Sequence, residues 1–244
     1  MISEIIFNDT NYQPKKQLLA ALFFGIVTIG ALGIDSVYFA KHFFDGRVLT
    51  NCIVISYFGW LFFISNGYVR KLMFSMLFLS YIGELIFCNL LEMYAYRTQT
   101  IPLYVPFGHA IVYVSGYIFA QTAWVLQHEF PLKRYFGLGF AILFLAVGIF
   151  LNDLFSVVLG VLFFAILKKK RWQNLYYCIA LCVIFIELVG TFFGCWTWVP
   201  KIFGIIPAAN PPMGAVFIYA GGDVLLAKIV SKWTIKKSKK PILK

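Results

Sequence analysis

Three carboxylic acids of this sequence stand inside long apolar runs: Glu84 in SYIGELIFCNLL, Glu187 in VIFIELVGTFF and Asp223 in YAGGDVLLA. A charged side chain costs about 2.5–3.5 kcal/mol at the centre of a membrane-spanning helix, so three cost on the order of 8–10 kcal/mol. No Lys or Arg lies at comparable depth in these runs. Such acids are expected to stay protonated or to face a wet cavity. A protonated carboxylic acid in apolar surroundings can give its proton to a double bond or a carbinol, which is general acid chemistry. The competing role is a structural hydrogen bond. That role has most weight for Asp223, whose neighbours Gly221 and Gly222 suit close helix packing.

Other polar residues extend these positions. Helical spacing puts Cys88 and Glu92 on the face of Glu84, and Thr191 and Cys195 on the face of Glu187. His109 follows Pro106 near the mouth of the next apolar run, either as a structural hydrogen-bonding group or as a proton donor or acceptor on the same cavity. Tyr94, Tyr96, Tyr104, Trp196 and Trp198 gather at one level of the chain. They form either an interfacial aromatic belt or an aromatic wall around a cationic intermediate or hydrophobic substrate. Asn210 precedes Pro211 and Pro212 and reads as a helix cap. The candidate catalytic residues are therefore Glu84, Glu187, Asp223 and His109. The candidate substrate-contacting residues are Glu92, Asn89, Tyr94, Trp196, Trp198 and Asn210.

The elements that must position these groups are membrane helices. The chain has 244 residues, of which 61% are hydrophobic and only 13% charged, and its mean hydropathy is +0.82. A soluble domain carries about 25% charged residues, so an ordinary cytosolic globule is excluded, and so is disorder. The net charge of +11 comes from basic residues between apolar runs and in the tail. That placement marks membrane topology, and no nucleic-acid partner is expected. The five Cys lie in or beside apolar runs and read as packing residues.

A spanning helix needs about 20 mostly apolar residues. Eight such spans are expected, near 17–38, 48–68, 72–94, 103–126, 135–151, 154–167, 173–197 and 211–231, with Asn152–Asp153 as the turn between the fifth and sixth. Eight spans put 17 of the 21 Lys and Arg on one side. The positive-inside rule then gives a multi-pass protein of the plasma (inner) membrane with both termini cytoplasmic.

The chain also contains a second copy of part of itself. Glu84 aligns with Glu187, Pro102 with Pro207, Pro106 with Pro211, Ala110 with Ala215 and Gly116 with Gly221, and an aromatic pair precedes each Pro run. Corresponding spans are four apart, so the copies run parallel. The expected fold is all-α: one integral membrane domain of two parallel four-helix repeats, 1–126 and 127–231, with a basic cytoplasmic tail at 232–244.

Scattered His42, His109 and His128 make no metal cluster, and neither a phosphate-binding GxxxxGK[ST] loop nor a Ser/His/Asp order occurs. No metal or cofactor is expected. The segment ELVGTFFGCWTWVPKIFGIIPAANP, Glu187 to Pro211, resembles the carotenoid-biosynthesis membrane hydratases of the bisanhydrobacterioruberin hydratase type, and Glu84 to His109 resembles them to a lesser degree. The match covers about 60 residues and departs from the family at the Asn-Pro-Pro run and at Cys195. The resemblance implies water addition to a terminal isoprenoid double bond, begun by protonation, with Glu187 and Glu84 as proton donor or base. Two functions follow from the sequence. One is a membrane enzyme performing hydration, cyclisation or isomerisation on an isoprenoid-type or other membrane lipid in the outer half of the bilayer. The other is a small proton-coupled transporter using the same carboxylates.

Overall fold

The computed structural model describes residues 14–222 together with 225, 226, 229 and 230. Asp223 and the basic tail lie outside the described residues. The chain is an all-α membrane protein with two very short β-ribbons.

The elements in chain order are α1 (Pro14–Leu22), α2 (Phe24–Ile34), α3 (Val37–His42), α4 (Arg47–Ile64), α5 (Gly67–Glu84), a π-helical segment (Leu85–Leu90) and β1 (Tyr94–Tyr96). Then come α6 (Tyr104–Ala120), α7 (Ala123–Gln127), α8 (Glu129–Phe150), α9 (Leu154–Lys168), α10 (Gln173–Phe192), β2 (Trp196–Trp198), β3 (Lys201–Ile202) and β4 (Ile206–Pro207). The final helix, α11 (Met213–Gly222), opens with a 3-10 turn over Met213–Ala215.

Five helical stretches are long and apolar enough to cross a membrane: Lys15–His42, Arg47–Ile64, Gly67–Leu90, Glu129–Phe150 and Gln173–Phe192. Three of the eight expected spans are shorter apolar helices: α6, α9 and α11. The expected span 103–126 is cut at Ala120, because Thr122 turns extended and its hydroxyl donates to Phe119 O at 2.8 Å. The expected spans ending at 94 and 197 also stop early, where the chain leaves helix to make β1 and β2.

The short helix α6 is the axis of the bundle. Every residue from Ala110 to Ile118 is buried, the pattern of a helix surrounded by others. It packs against α1, α4, α5 and α10. At its crossing with α10, a Cβ on Gly116 would stand 2.6 Å from Ile179 Cα, so the two backbones touch only because residue 116 has no side chain. Gly221, aligned with it in the expected repeat, meets open space instead and lines the central cavity.

The polar turn at Asn152–Asp153 joins α8 and α9 as a tight hairpin, with Asn152 in the left-handed region at φ 51°. Asp153 caps α9 by accepting Ser156 N at 2.9 Å, and the Ser156 hydroxyl donates to the same carboxyl. Ser156 Oγ in turn accepts Gly214 N at 2.8 Å, which anchors the start of α11.

Candidate functional site

Glu84 closes α5 and Glu187 lies in the last turns of α10. Both acids therefore sit toward one end of their helices rather than at the midpoints expected from the sequence. Both are buried, 2% and 7% exposed, deep enough that each needs partners to be tolerated.

The partners come from a ribbon that lies across that end of the bundle. β1 and β2 pair antiparallel in the register Tyr94↔Trp198, Ala95↔Thr197, Tyr96↔Trp196. Side chains alternate along a strand, so Ala95 and Thr197 face out while the four aromatic residues face in. Each pair meets the acid that precedes it in the chain. The Tyr94 and Tyr96 hydroxyls donate to Glu84 Oε2 at 2.9 and 2.7 Å. The Trp196 and Trp198 indole N–H groups donate to Glu187 Oε2 at 2.9 and 3.1 Å. Burial, and then the neighbouring Glu84, push both ribbon phenols above their ordinary value, so they keep their protons and act as donors.

The chain lengths explain how two unequal loops reach one geometry. Glu84 and Tyr94 are ten residues apart, Glu187 and Trp196 nine. The extra residue is taken up in the π-helical segment Leu85–Leu90, the usual way for a helix to absorb an insertion. After Glu187 the chain turns directly, and Gly190 makes room for the Trp196 ring: a Cβ there would stand 1.9 Å from its Cη2.

The two acids differ in one chemically decisive respect. His109 Nε2 lies 3.0 Å from Glu84 Oε1, and the position aligned with it in the expected repeat is Gly214. The imidazole stacks on Tyr219 with centroids 5.0 Å apart and planes 7° from parallel.

Outside the acids, a polar cluster holds the ribbon in place. Arg97 N donates to Cys195 O at 2.8 Å, continuing the strand pairing. The Arg97 guanidinium donates to the Asp35 carbonyl and carboxylate at 2.9 and 2.8 Å and to Asp45 at 2.8 Å. Tyr104 OH donates to the other Asp35 oxygen at 2.7 Å.

These groups surround a cavity of about 600 Å³, within the range of roughly 300–1,000 Å³ typical of small-molecule sites. Glu84, His109, Glu187, Tyr94, Tyr96, Trp196, Trp198 and Tyr219 line it, and most of the remaining wall is aliphatic or Phe. Ile82, Ile86 and Leu225 line the cavity and are also exposed on the outer surface, so it reaches the apolar flank of the bundle. Among the described residues no three His, Cys, Asp or Glu side chains come together as metal ligands.

The structure thus brings Glu84, Glu187, His109, Tyr94, Trp196 and Trp198 together. Glu92 does not join them. The helix ends before it, and Glu92 sits exposed in the following turn at φ 48°. Asn89 is exposed on the π-helical segment, away from the cavity. Thr191 stays in α10 one turn beyond Glu187, on the face expected, with its hydroxyl donating to Glu187 O, whereas Cys195 lies beyond the end of α10 with its thiol on Leu32 O and does not extend that face. Asn210 caps no helix, because α11 starts later. Its Oδ1 instead accepts Trp198 N at 3.0 Å and so holds β2. Asp223 lies outside the described residues.

Sequence reasoning missed Tyr96 as an acid ligand, along with Gly190, Arg97 and Tyr219. The YAY and WTW alternation carried a readable signal for the first of these. Tyr219 carried none, since only the fold brings it to His109. No family model matches the chain, and no curated protein or solved structure is significantly similar to it. The functional reading rests on the site itself.

Proposed function

We propose that this protein is an integral membrane enzyme that performs carboxylic acid-catalysed chemistry, a hydration, cyclisation or isomerisation, on an isoprenoid-type or other membrane lipid. One observation carries the reading: two buried carboxyls and a histidine sit at the end of an aromatic-walled apolar cavity that reaches the flank of the bundle. A lipid dissolved in the bilayer can enter such a cavity without crossing water. The aromatic faces suit a developing carbocation, and the buried acids suit the proton transfers that create and quench it.

In the same reading the chain makes eight spans in two parallel four-helix halves, with both termini cytoplasmic in the plasma (inner) membrane. The eight apolar helices support the span count, and the hairpin at Asn152 supports a return of the chain there. The ribbon supports the repeat, since its antiparallel register relates Tyr94 to Trp196 and Tyr96 to Trp198 by a local twofold, matching the sequence alignment. The resemblance to the carotenoid hydratases belongs with this proposal and suggests water addition to a terminal double bond.

The test is untargeted mass spectrometry of total lipids from a host that makes carotenoids and polyprenols, expressing wild type, Glu84→Gln or Glu187→Gln. The expected result is an isoprenoid species present with wild type only, heavier by one water if the reaction is hydration. Glu187→Gln is expected to abolish the product while leaving the protein inserted. Unchanged lipids at matched expression would overturn the enzyme reading in favour of proton-coupled transport, measured next as flux under a pH gradient.

A further inference from the structure

We infer that the two acids of the cavity have different jobs: Glu187 donates the proton through its Oε1, and the Glu84–His109 pair accepts one. This rests on the acid-catalysis reading above and adds a direction to it.

Hydrogen-bond capacity separates the two acids. An indole N–H can only donate, whereas a phenol or an imidazole nitrogen can exchange roles. Both indoles at Glu187 fall on the same oxygen, Oε2. Oε2 is therefore an acceptor whatever the protonation state, and a proton on this carboxyl is confined to Oε1. Among the described residues, no cationic group lies within ion-pairing distance of Glu187. A buried carboxylate without a counter-charge is costly, so Glu187 carries its proton at rest.

Glu84 is held differently. Both of its oxygens have partners: two phenols donate to Oε2, and His109 Nε2 lies 3.0 Å from Oε1. Neither oxygen is reserved for a proton as Oε1 is on Glu187. A carboxylate against one ring nitrogen also fixes the tautomer and orientation of the imidazole and stabilises the imidazolium when the ring takes a proton. Tyr219 holds the ring plane by stacking and is a positioning residue.

The resulting step balances. The π pair of a substrate C=C forms a new C–H bond with the Glu187 proton, and the O–H pair remains on Glu187 as carboxylate. The carbocation then either loses a proton from the neighbouring carbon to His109, re-forming a double bond, or takes up water, which gives its surplus proton to His109. One proton leaves Glu187 and one reaches His109, and transfer back from His109 to Glu187 resets the site.

The test needs no substrate. The full-length protein is placed in lipid nanodiscs, and the infrared band of protonated carboxyl groups is recorded at neutral pH in H2O and D2O. The expected result is a deuterium-sensitive band that Glu187→Gln removes and that Glu84→Gln and His109→Gln leave in place. Trp198→Phe, which deletes one indole donor and keeps an aromatic ring, is expected to shift it. A band removed by Glu84→Gln, a band unchanged by Glu187→Gln, or no band in wild type would each overturn the assignment. If Glu187→Gln does not elute as a folded protein, an unshifted band in Trp198→Phe overturns it instead. Lipid profiling of the same variants reads the activity separately. Glu187→Gln should bring product to background, and His109→Gln should lower it by roughly 10²–10⁴-fold, the usual contribution of a general base. Unchanged lipids with wild type would refute the enzyme reading and leave the infrared result to stand or fall alone.

Discussion

Tyr96 and Trp196 face each other across the ribbon, ring edge to ring face with centroids 6.2 Å apart, yet each hydrogen-bonds a different acid. The ribbon is thus a shared floor with two separate holders. A change that shifts one strand moves the donors of both carboxyls, and the residues that fix the ribbon are as testable as the acids.

Gly190 is the tightest of these. Ala at this position places a Cβ inside the Trp196 ring, so the indole must move and its bond to Glu187 is lost. Overpacking of this kind costs about 1–3 kcal/mol. The Gly190→Ala protein is expected to unfold at lower temperature in detergent and to lose most product in the lipid assay. Normal activity would mean that the Trp196 bond is dispensable.

Arg97 balances Asp35, which is 1% exposed. Removing one partner of a buried ion pair costs about 3–5 kcal/mol because the other charge is stranded. Arg97→Gln is therefore expected to destabilise strongly, and Asp35→Asn in the same chain to restore part of the loss. Melting curves of the two single variants and the double variant measure that coupling.

Asp45 gives a pH dependence with a definite sign. The neighbouring Arg47 first, and Arg97 next, hold its carboxyl well below the usual carboxylate range. Its unfolded value is about 4, so its contribution is complete above about pH 4 and is lost as pH falls toward the folded value. The side chain is 45% exposed, which screens the pair and keeps the effect small. Melting temperature should be level near neutral pH and fall in acid, and Asp45→Asn should lack that share of the fall.

Asn210 separates positioning from substrate contact. Its Oδ1 accepts Trp198 N, and loss of one such bond costs about 1 kcal/mol. Asn210→Ala is expected to lower stability by that amount and to reduce product without changing which lipids are converted. A changed lipid profile would instead place Asn210 against substrate.

Much of this architecture was legible in the sequence for physical reasons. Apolar length marks membrane helices, so each expected apolar run holds a helix among the described residues, and the Asn152–Asp153 turn stood out because polar turn residues interrupted one. Glu84 and Glu187 stood out because an acid in such a run is costly. Helical periodicity failed where the helix itself ended. It carried Glu92 and Cys195 onto faces that do not exist, because the π-helical segment and the turn after Phe192 redirect the chain. The alternation in Tyr94–Tyr96 and Trp196–Trp198 is a strand signal, but three residues are too few to compete with the apolar runs around them. Contacts between residues far apart in the chain, such as His109 on Tyr219, have no local trace at all.

The ribbon also sets a timetable for making the protein. Tyr94 must wait for Trp198, which the ribosome adds roughly 100 residues later. At about 5–20 residues per second, β1 spends on the order of 5–20 s without its partner strand while four further apolar helices are synthesised. During that interval Glu84 already has Tyr94, Tyr96 and His109 available from its own half of the chain. The most expensive charge in the first half can thus be settled locally, before the second half exists.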